Sequence, residues 1–279
     1  MVSLSVNTQC WQSTSIYGVV ERQHYFWNGE ELYPTKIYGT TVNLFDGDEN
    51  ILSFMIGGNW GFNPNYFDTV HNLLFYSVHE TPNVSKSYIR DVEKNRVIKE
   101  WTGYMYRVVI SPDKRLAAFF ISHNPKDELV IFDLVNKQVL YQKIFSWAPG
   151  WNSALSFSPD SHRLVYSAAT TDDERMAEYE NIYPIYIIDI DNPDDRSRYE
   201  LKADRYGIYA LEYSADGSFI AASHSNGIIS ILDARSGVIV YEWHAHPATI
   251  TNLSFSSDGK LLASSAESGF ISIWGNIRW

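Results

Sequence analysis

The amino-acid sequence predicts an all-β chain folded as a six-bladed β-propeller closed by an N-terminal strand. Three observations predict it. A short apolar segment ends at Asp46, Asp91, Asp133, Asp189, Asp233 and, degenerately, Gly275, so that successive landmarks are 45, 42, 56, 44 and 42 residues apart. A period of about 40–45 residues with four strands in each copy is the signature of a propeller blade. The segments themselves, such as "LAAFFI", "LVIFDL" and "IYIIDI", are four to seven residues long and either alternate or are wholly apolar, as strands do. Between them lie Ser-Pro-Asp and Asp-Gly, which supply hairpin turns, and no segment carries a 3.6-residue apolar period of helical length.

Taken in order, residues 1–11 are spare chain ahead of the first copy and are expected to complete the last blade as a closing strand. The blades then run over approximately 12–57, 58–102, 103–146, 147–203, 204–245 and 246–279, all within one domain spanning 1–279. The first is read from "YFWNGEELYPTKIYGTTVNLFDGDENILSFMI" (25–56), and the second, weaker, from 66–101. The third and fourth carry "VISPDKRLAAFF" and "SFSPDSHRLVYSA". The 56-residue interval belongs to a copy with an insertion, because no extra set of strands lies within it. The fifth, "IYALEYSADGSFIAASHSNGIISILDARSGVIVYEW" (208–243), holds all four strands. The last, "LSFSSDGKLLASSAESGFISIWG" (253–275), holds three, and a strand from elsewhere should complete it and remove an open edge.

Composition excludes several classes of function. The formal net charge is −11, and no basic stripe interrupts it, so the field opposes nucleic acid and anionic membrane surfaces. The single cysteine, Cys10, allows no intrachain disulfide, and the N-terminus has neither the charged nor the apolar region of a signal peptide. These point to a reducing compartment and a cytoplasmic location. No window approaches 18 uninterrupted apolar residues, so no membrane span is expected.

The last two copies resemble the WD-repeat family of β-propellers. In "HAHPATITNLSFSSDGKLLASSAESGFISIW", His246 matches the family's Gly-His position, Ser265 its second-strand Ser/Thr and Trp274 its third-strand Trp, while Glu267 stands where Asp is usual. The resemblance implies that these four side chains form a hydrogen-bonded structural tetrad, partial here because Ala245 replaces the glycine and Gly275 follows the Trp. It covers residues 104–275 well and 25–102 loosely. Seven blades is the commonest number in the family and stands as the alternative to the six counted here.

No catalytic constellation emerges. The acid-rich "DIDNPDD" (189–195) lacks the glycine and terminal Glu of a calcium loop and reads as a solvated turn. His244 and His246 have no carboxylate or cysteine at metal-ligand spacing, and neither a nucleophile elbow nor a phosphate-binding glycine loop is present. Cys10 has no neighbour that would activate it. No cofactor and no metal are expected.

A binding surface is easier to find. The loops joining second to third strands vary in length: "HETPNVSK" (79–86), "SHNPKDE" (122–128) and the acidic "TTDDERMAEYENIYP" (170–184). Variation concentrated at one end marks that end as the one in use. At the same end, the starts of the first strands carry Tyr104, Tyr106, Trp151 and Tyr209, with Trp60, Tyr206, Arg107 and Arg205 nearby. Aromatics with a polar handle are what interfaces use as anchors. The sequence therefore predicts a non-catalytic interaction platform that binds a peptide or protein on the variable-loop face, with basic partners favoured by the acidic insertion. The alternative is a propeller enzyme or small-ligand sensor with its site at the axial opening.

Overall fold

The computed structural model describes the strands below and, with their side chains, residues 65–81, 84–123, 126–145, 154–167, 184–193 and 207–275, together with Ser197 and Tyr199. The chain divides into two compact units, Met1–Tyr106 and Arg107–Trp279. The described residues contain strands and turns and no helix, so none is long and apolar enough to cross a membrane.

The first unit opens with β1 (Ser3–Leu4), β2 (Thr8–Ser13), β3 (Ile16–Glu21), β4 (Tyr25–Trp27), β5 (Leu32–Pro34), β6 (Thr40–Asp46) and β7 (Glu49–Ile56). A four-stranded antiparallel sheet takes β2-β3-β6-β7, and β1 joins the β4–β5 hairpin in a separate three-stranded sheet. This corrects two expectations. Tyr25–Trp27 and Leu32–Pro34 are an excursion between β3 and β6 rather than strands of the first repeat sheet. Residues 1–11 do not complete the last sheet: Ser3–Leu4 pairs with Tyr25–Phe26, and Thr8–Ser13 pairs with Ile16–Glu21. The physical reason is proximity along the chain. Thr8–Ser13 meets a partner two residues later, and a pairing that short costs far less loop-closure entropy than one with the other end of the chain. The second sheet is the meander β8 (Gly61–Asp68), β9 (Leu73–Thr81), β10 (Val84–Asp91) and β11 (Arg96–Thr102).

The remaining sheets follow the same plan. They are β12 (Tyr104–Ile110), β13 (Leu116–Ser122), β14 (Asp127–Asp133) and β15 (Gln138–Ile144); then β16 (Ala154–Phe157), β17 (Arg163–Ser167), β18 (Ile182–Asp189) and β19 (Arg196–Lys202). Sheet five is β20 (Ile208–Tyr213), β21 (Phe219–His224), β22 (Ile228–Asp233) and β23 (Ile239–His244). Sheet six has three strands, β24 (Ile250–Phe255), β25 (Leu261–Ala266) and β26 (Ile271–Gly275).

In the second unit the core lies between faces of successive sheets. Ile185 and Ile187 of β18 pack with Ile208, Leu211 and Ile220 of sheet five. Ile229 and Ile231 of β22 pack in turn with Ile250, Leu253 and Leu262 of sheet six. Strands β13 and β14 are buried along nearly their whole length, on both faces, which is why they read as continuous apolar runs rather than alternating ones.

The landmark aspartates have a physical role. The carboxylate of Asp133 accepts the N–H groups of Val135 and Asn136, that of Asp189 those of Asp191 and Asn192, and that of Asp233 those of Arg235 and Ser236. Each caps the turn from third to fourth strand by the Asx mechanism. A second, fourfold device builds the turn from first to second strand. Ser111, Ser158, Ser214 and Ser256 donate their hydroxyls to Asp113, Asp160, Asp216 and Asp258 at 2.5–2.7 Å. The same serine oxygens accept the N–H groups of Leu116, Arg163, Phe219 and Leu261. The residue after each Asp takes positive φ: Lys114, Ser161, Gly217 and Gly259 lie between 63° and 73°.

Candidate functional site

The site predicted at the starts of the first strands is built on serines. In the first unit, Ser77 of β9 and Ser87 of β10 hydrogen-bond to each other at 3.0 Å, and both hydroxyl oxygens accept the N–H of Met105. Ser87 also donates to the carbonyl of Gly103 at 2.7 Å, and the N–H of Gly103 donates to the carbonyl of Ser85. Residues 103–105 are thus tied from both sides, by side chains that are fully buried at Ser77 and Ser87. Gly103, at φ 131, makes the bend that allows it.

Tyr104 stands on this fixed backbone. Its ring stacks on the imidazole of His79, with centroids 5.5 Å apart and 13° between the planes. His79 is itself held by a 2.8 Å hydrogen bond between Nδ1 and the Ser85 hydroxyl. Tyr104 is half-buried, and burial pushes its phenol pKa upward, so the OH stays protonated and able to donate. Two rings are therefore presented in one orientation without a further ordering cost.

The other predicted residues are placed as follows. Tyr106 is buried at 7% exposure, so it packs in the core and does not stand as a surface anchor. Arg107 is half-buried and takes φ 56, the left-handed region in which a non-glycine residue is strained. Tyr209, in the second unit, sits at a β-bulge, where the β20–β21 register shifts between Ile208 and Ala210, and it is half-buried. The bulge is pinned by Ser223, whose hydroxyl oxygen accepts the N–H of Ala210 and whose O–H donates to the carbonyl of Ile250. A bulge re-aims the side chain at its extra residue. Trp60, Trp151, Arg205 and Tyr206 lie outside the described residues, as does most of the acidic insertion at 170–184.

The tetrad-like group is present with two changes, in the identity of the serine and in the loss of Glu267. His246 Nε2 lies 2.7 Å from the Ser264 hydroxyl, and the Trp274 indole N–H donates to the same oxygen at 2.9 Å. The rings of His246 and Trp274 meet edge to face at 90°. The serine is Ser264 and not Ser265, whose hydroxyl instead accepts from the Asn252 side-chain amide at 3.2 Å. Side chains alternate along β25, so a shift of one residue moves the hydroxyl to the opposite face. Glu267 is exposed in the following turn, where its N–H donates to the carbonyl of Thr249, and the group is a triad of His246, Ser264 and Trp274.

Sequence reasoning passed over Glu212. This carboxyl projects from β20 toward β16, 3.4 Å from the Ser156 hydroxyl, and burial pushes its pKa up to about 7 against the opposing pull of that hydroxyl. The signal available was a lone acid inside the strand "IYALEY". It could hold a proton near neutral pH. Among the described residues no group of three or more His, Cys, Asp or Glu is placed to hold a metal.

Comparison with known proteins gives the same fold. Residues 121–258 match the family described as the anaphase-promoting complex subunit 4 WD40 domain. The crystal structure of the Myceliophteria thermophila Cps50 (Swd1) β-propeller domain superposes with a TM-score of 0.57 at 19% sequence identity, over 81% of this chain and 67% of that one. A search of curated proteins finds no match.

Proposed function

We propose that this WD-repeat-like β-propeller, six-bladed by its repeat spacing, is a non-catalytic platform that binds a peptide or protein at the variable-loop end of its sheets. WD40 propellers commonly serve as protein-interaction scaffolds, which favours this class over an enzyme. The family matched by residues 121–258 is described as a subunit of a complex, and membership of an assembly is the kind of role we assign to this chain as well.

The observation that carries the reading is the Tyr104–His79 stack on its serine-tied backbone. A rigid, half-buried aromatic with a protonated OH is the profile of an interface anchor: it brings contact area and a donor at low entropic cost. In the second unit, the bulge at Tyr209 supports the same use of a first-strand start. The acidic insertion at 170–184 would select basic partners.

The test is affinity capture from native extract with quantitative mass spectrometry, comparing the wild type with Tyr104→Ala and, separately, Tyr209→Ala. The expected outcome is a stoichiometric partner retained by the wild type and reduced about tenfold or more by Tyr104→Ala. Equal capture by folded wild type and Tyr104→Ala would remove Tyr104 from the site.

A further inference from the structure

The last sheet differs from its predecessors at one edge. In every other repeat sheet a fourth strand pairs with the third, whereas β26 has β25 on one side and, among the described residues, no strand on the other. Apolar side chains gather there: Ile271 is 74% exposed, Ile273 69% and Phe270 63%. Pairing registers make Ile271 and Ile273 the counterparts of Ile229 and Ile231, both 0% exposed. Among the described residues, no strand pairs with the outward backbone groups of β26 either. The N–H of Asp233 donates across to the carbonyl of Val238 at the start of the fourth strand, and its counterpart in β26 is Gly275.

The repeats specify what fits this edge. Opposite the residue equivalent to Ile271, the fourth strands place Trp101 against Ser87, Tyr199 against Ile185 and Trp243 against Ile229, with Lys143 the exception. Those aromatics have defined roles. Trp101 is buried, the Tyr199 OH donates to the carbonyl of Arg235 in the next sheet, and Trp243 packs edge-on against Trp274 at 5.5 Å. The residue just before the aromatic is polar: Glu100, Arg198 and Glu242. In sheet five its role is visible, because Ser230 donates its hydroxyl to Glu242 at 2.8 Å, and Ser230 is the counterpart of Ser272.

We propose that the free edge of β26 is a docking site for an extended segment of another polypeptide, which adds an antiparallel fourth strand carrying a Glu–aromatic pair, the carboxylate at Ser272 and the aromatic ring opposite Ile271. Main-chain hydrogen bonds supply affinity in this mode of recognition, and side chains at alternate positions supply specificity. The chain's own N-terminal strands are paired elsewhere, β1 with β4 and β2 with β3. A second copy pairing through its own β26 does not fit the template. The backbone groups of Ile271, Ile273 and Gly275 face the open edge, so antiparallel self-pairing sets Ile271 against one of these three, and Trp274, of opposite parity, never faces it.

The experiment titrates the full chain into a fluorescein-labelled peptide with the sequence of residues 237–245, GVIVYEWHA, which carries the Glu–Trp pair of β23. Fluorescence anisotropy is expected to show saturable one-to-one binding. It should weaken about tenfold or more when the peptide Trp is replaced by Ala, and likewise with the chain variant Ile271→Lys/Ile273→Lys. Both isoleucines are largely exposed, so the double variant should melt like the wild type. Tyr104→Ala should bind the peptide unchanged, which separates this site from the variable-loop face. Four outcomes overturn the proposal. One is the absence of saturable binding, and another is equal binding of a scrambled peptide or by the double-lysine variant. A wild-type dimer in sedimentation that the double-lysine variant dissociates would assign the edge to a second copy. Binding that appears only after deletion of residues 1–13 would assign it to the chain's own N-terminal strand.

Discussion

Sheets five and six are two copies of one repeat, and they differ in what lies beyond them. In sheet five, Ile229 and Ile231 are fully buried against sheet six, Asp233 caps a turn, and β23 covers the edge of β22. In sheet six, the equivalent isoleucines face solvent, Gly275 replaces the capping aspartate, and among the described residues no strand pairs with the outer edge of β26. The difference teaches that the burial of a repeat's apolar face is decided by its neighbour and not by its own sequence, since "IISIL" and "FISIW" carry isoleucines at the same register.

The largest expected effect tests that statement directly. Ile231→Ala removes a side chain packed between two sheets and should cost about 3 kcal/mol, as buried large-to-small substitutions do. Ile273→Ala, at the same register one sheet later, should cost less than about 0.5 kcal/mol, as exposed substitutions do. Urea unfolding of both variants decides it. Equal costs would mean that Ile273 is buried in solution and that the two sheets do not differ in this way.

The next effect concerns the triad, which sheet six has and sheet five lacks, because Ala222 and Leu232 occupy the positions of Ser264 and Trp274. Ser264→Ala removes the shared partner of His246 Nε2 and the Trp274 N–H. His246 is 2% exposed, so the loss leaves a buried ring nitrogen unsatisfied at a cost of about 2 kcal/mol. Ser265→Ala, which touches only the exposed Asn252 amide, should change stability by less than about 0.5 kcal/mol. Thermal melts of the two variants side by side would reverse the assignment if Ser265→Ala were the damaging one.

What could be read from the sequence follows from the range of the interactions. The aspartate landmark was legible because an Asx turn is written within three residues, and the Ser-x-Asp turns for the same reason. The tetrad serine was misread by one position because Ser264 and Ser265 are chemically identical neighbours and only the face of the strand separates them. The N-terminal strand was misplaced because Thr8–Ser13 suits any strand edge by pattern, and the local hairpin takes it first. At the candidate site, Tyr104 stood out as an aromatic at the start of a strand, but its partner His79 comes from a different strand, and no pattern in the sequence links them. Tyr106 carries the same residue type two positions on and is buried, a distinction set by the packing of neighbouring strands. Glu212 gave no signal, since the desolvation that raises its pKa is a property of the assembled sheets.

The smallest effect separates the two sheets at their first turns. The Ser214 hydroxyl, with the Ser218 N–H, holds the Asp216 carboxyl below its ordinary range. The Ser256 hydroxyl, followed by the Lys260 N–H, holds Asp258 down to about 2. A carboxyl depressed in the folded state contributes stability that is complete above its unfolded pKa, about 3.9. That contribution fades as pH falls through the folded value. Both turns should therefore weaken between about pH 4 and pH 2 and be indifferent to pH above that. Asp216→Asn and Asp258→Asn keep the side-chain shape and remove the titration. Melting temperatures followed from pH 5 to pH 2 should show each variant below the wild type at pH 5 and converging with it toward pH 2. The gap should be smaller for Asp258, whose carboxylate and Lys260 partner both stand in solvent, where screening reduces the value of a charge. Curves that stay parallel down to pH 2 would show that the carboxylates act in these turns through shape alone. A larger gap for Asp258 than for Asp216 would place the better-protected turn in sheet six and invert the comparison at its base.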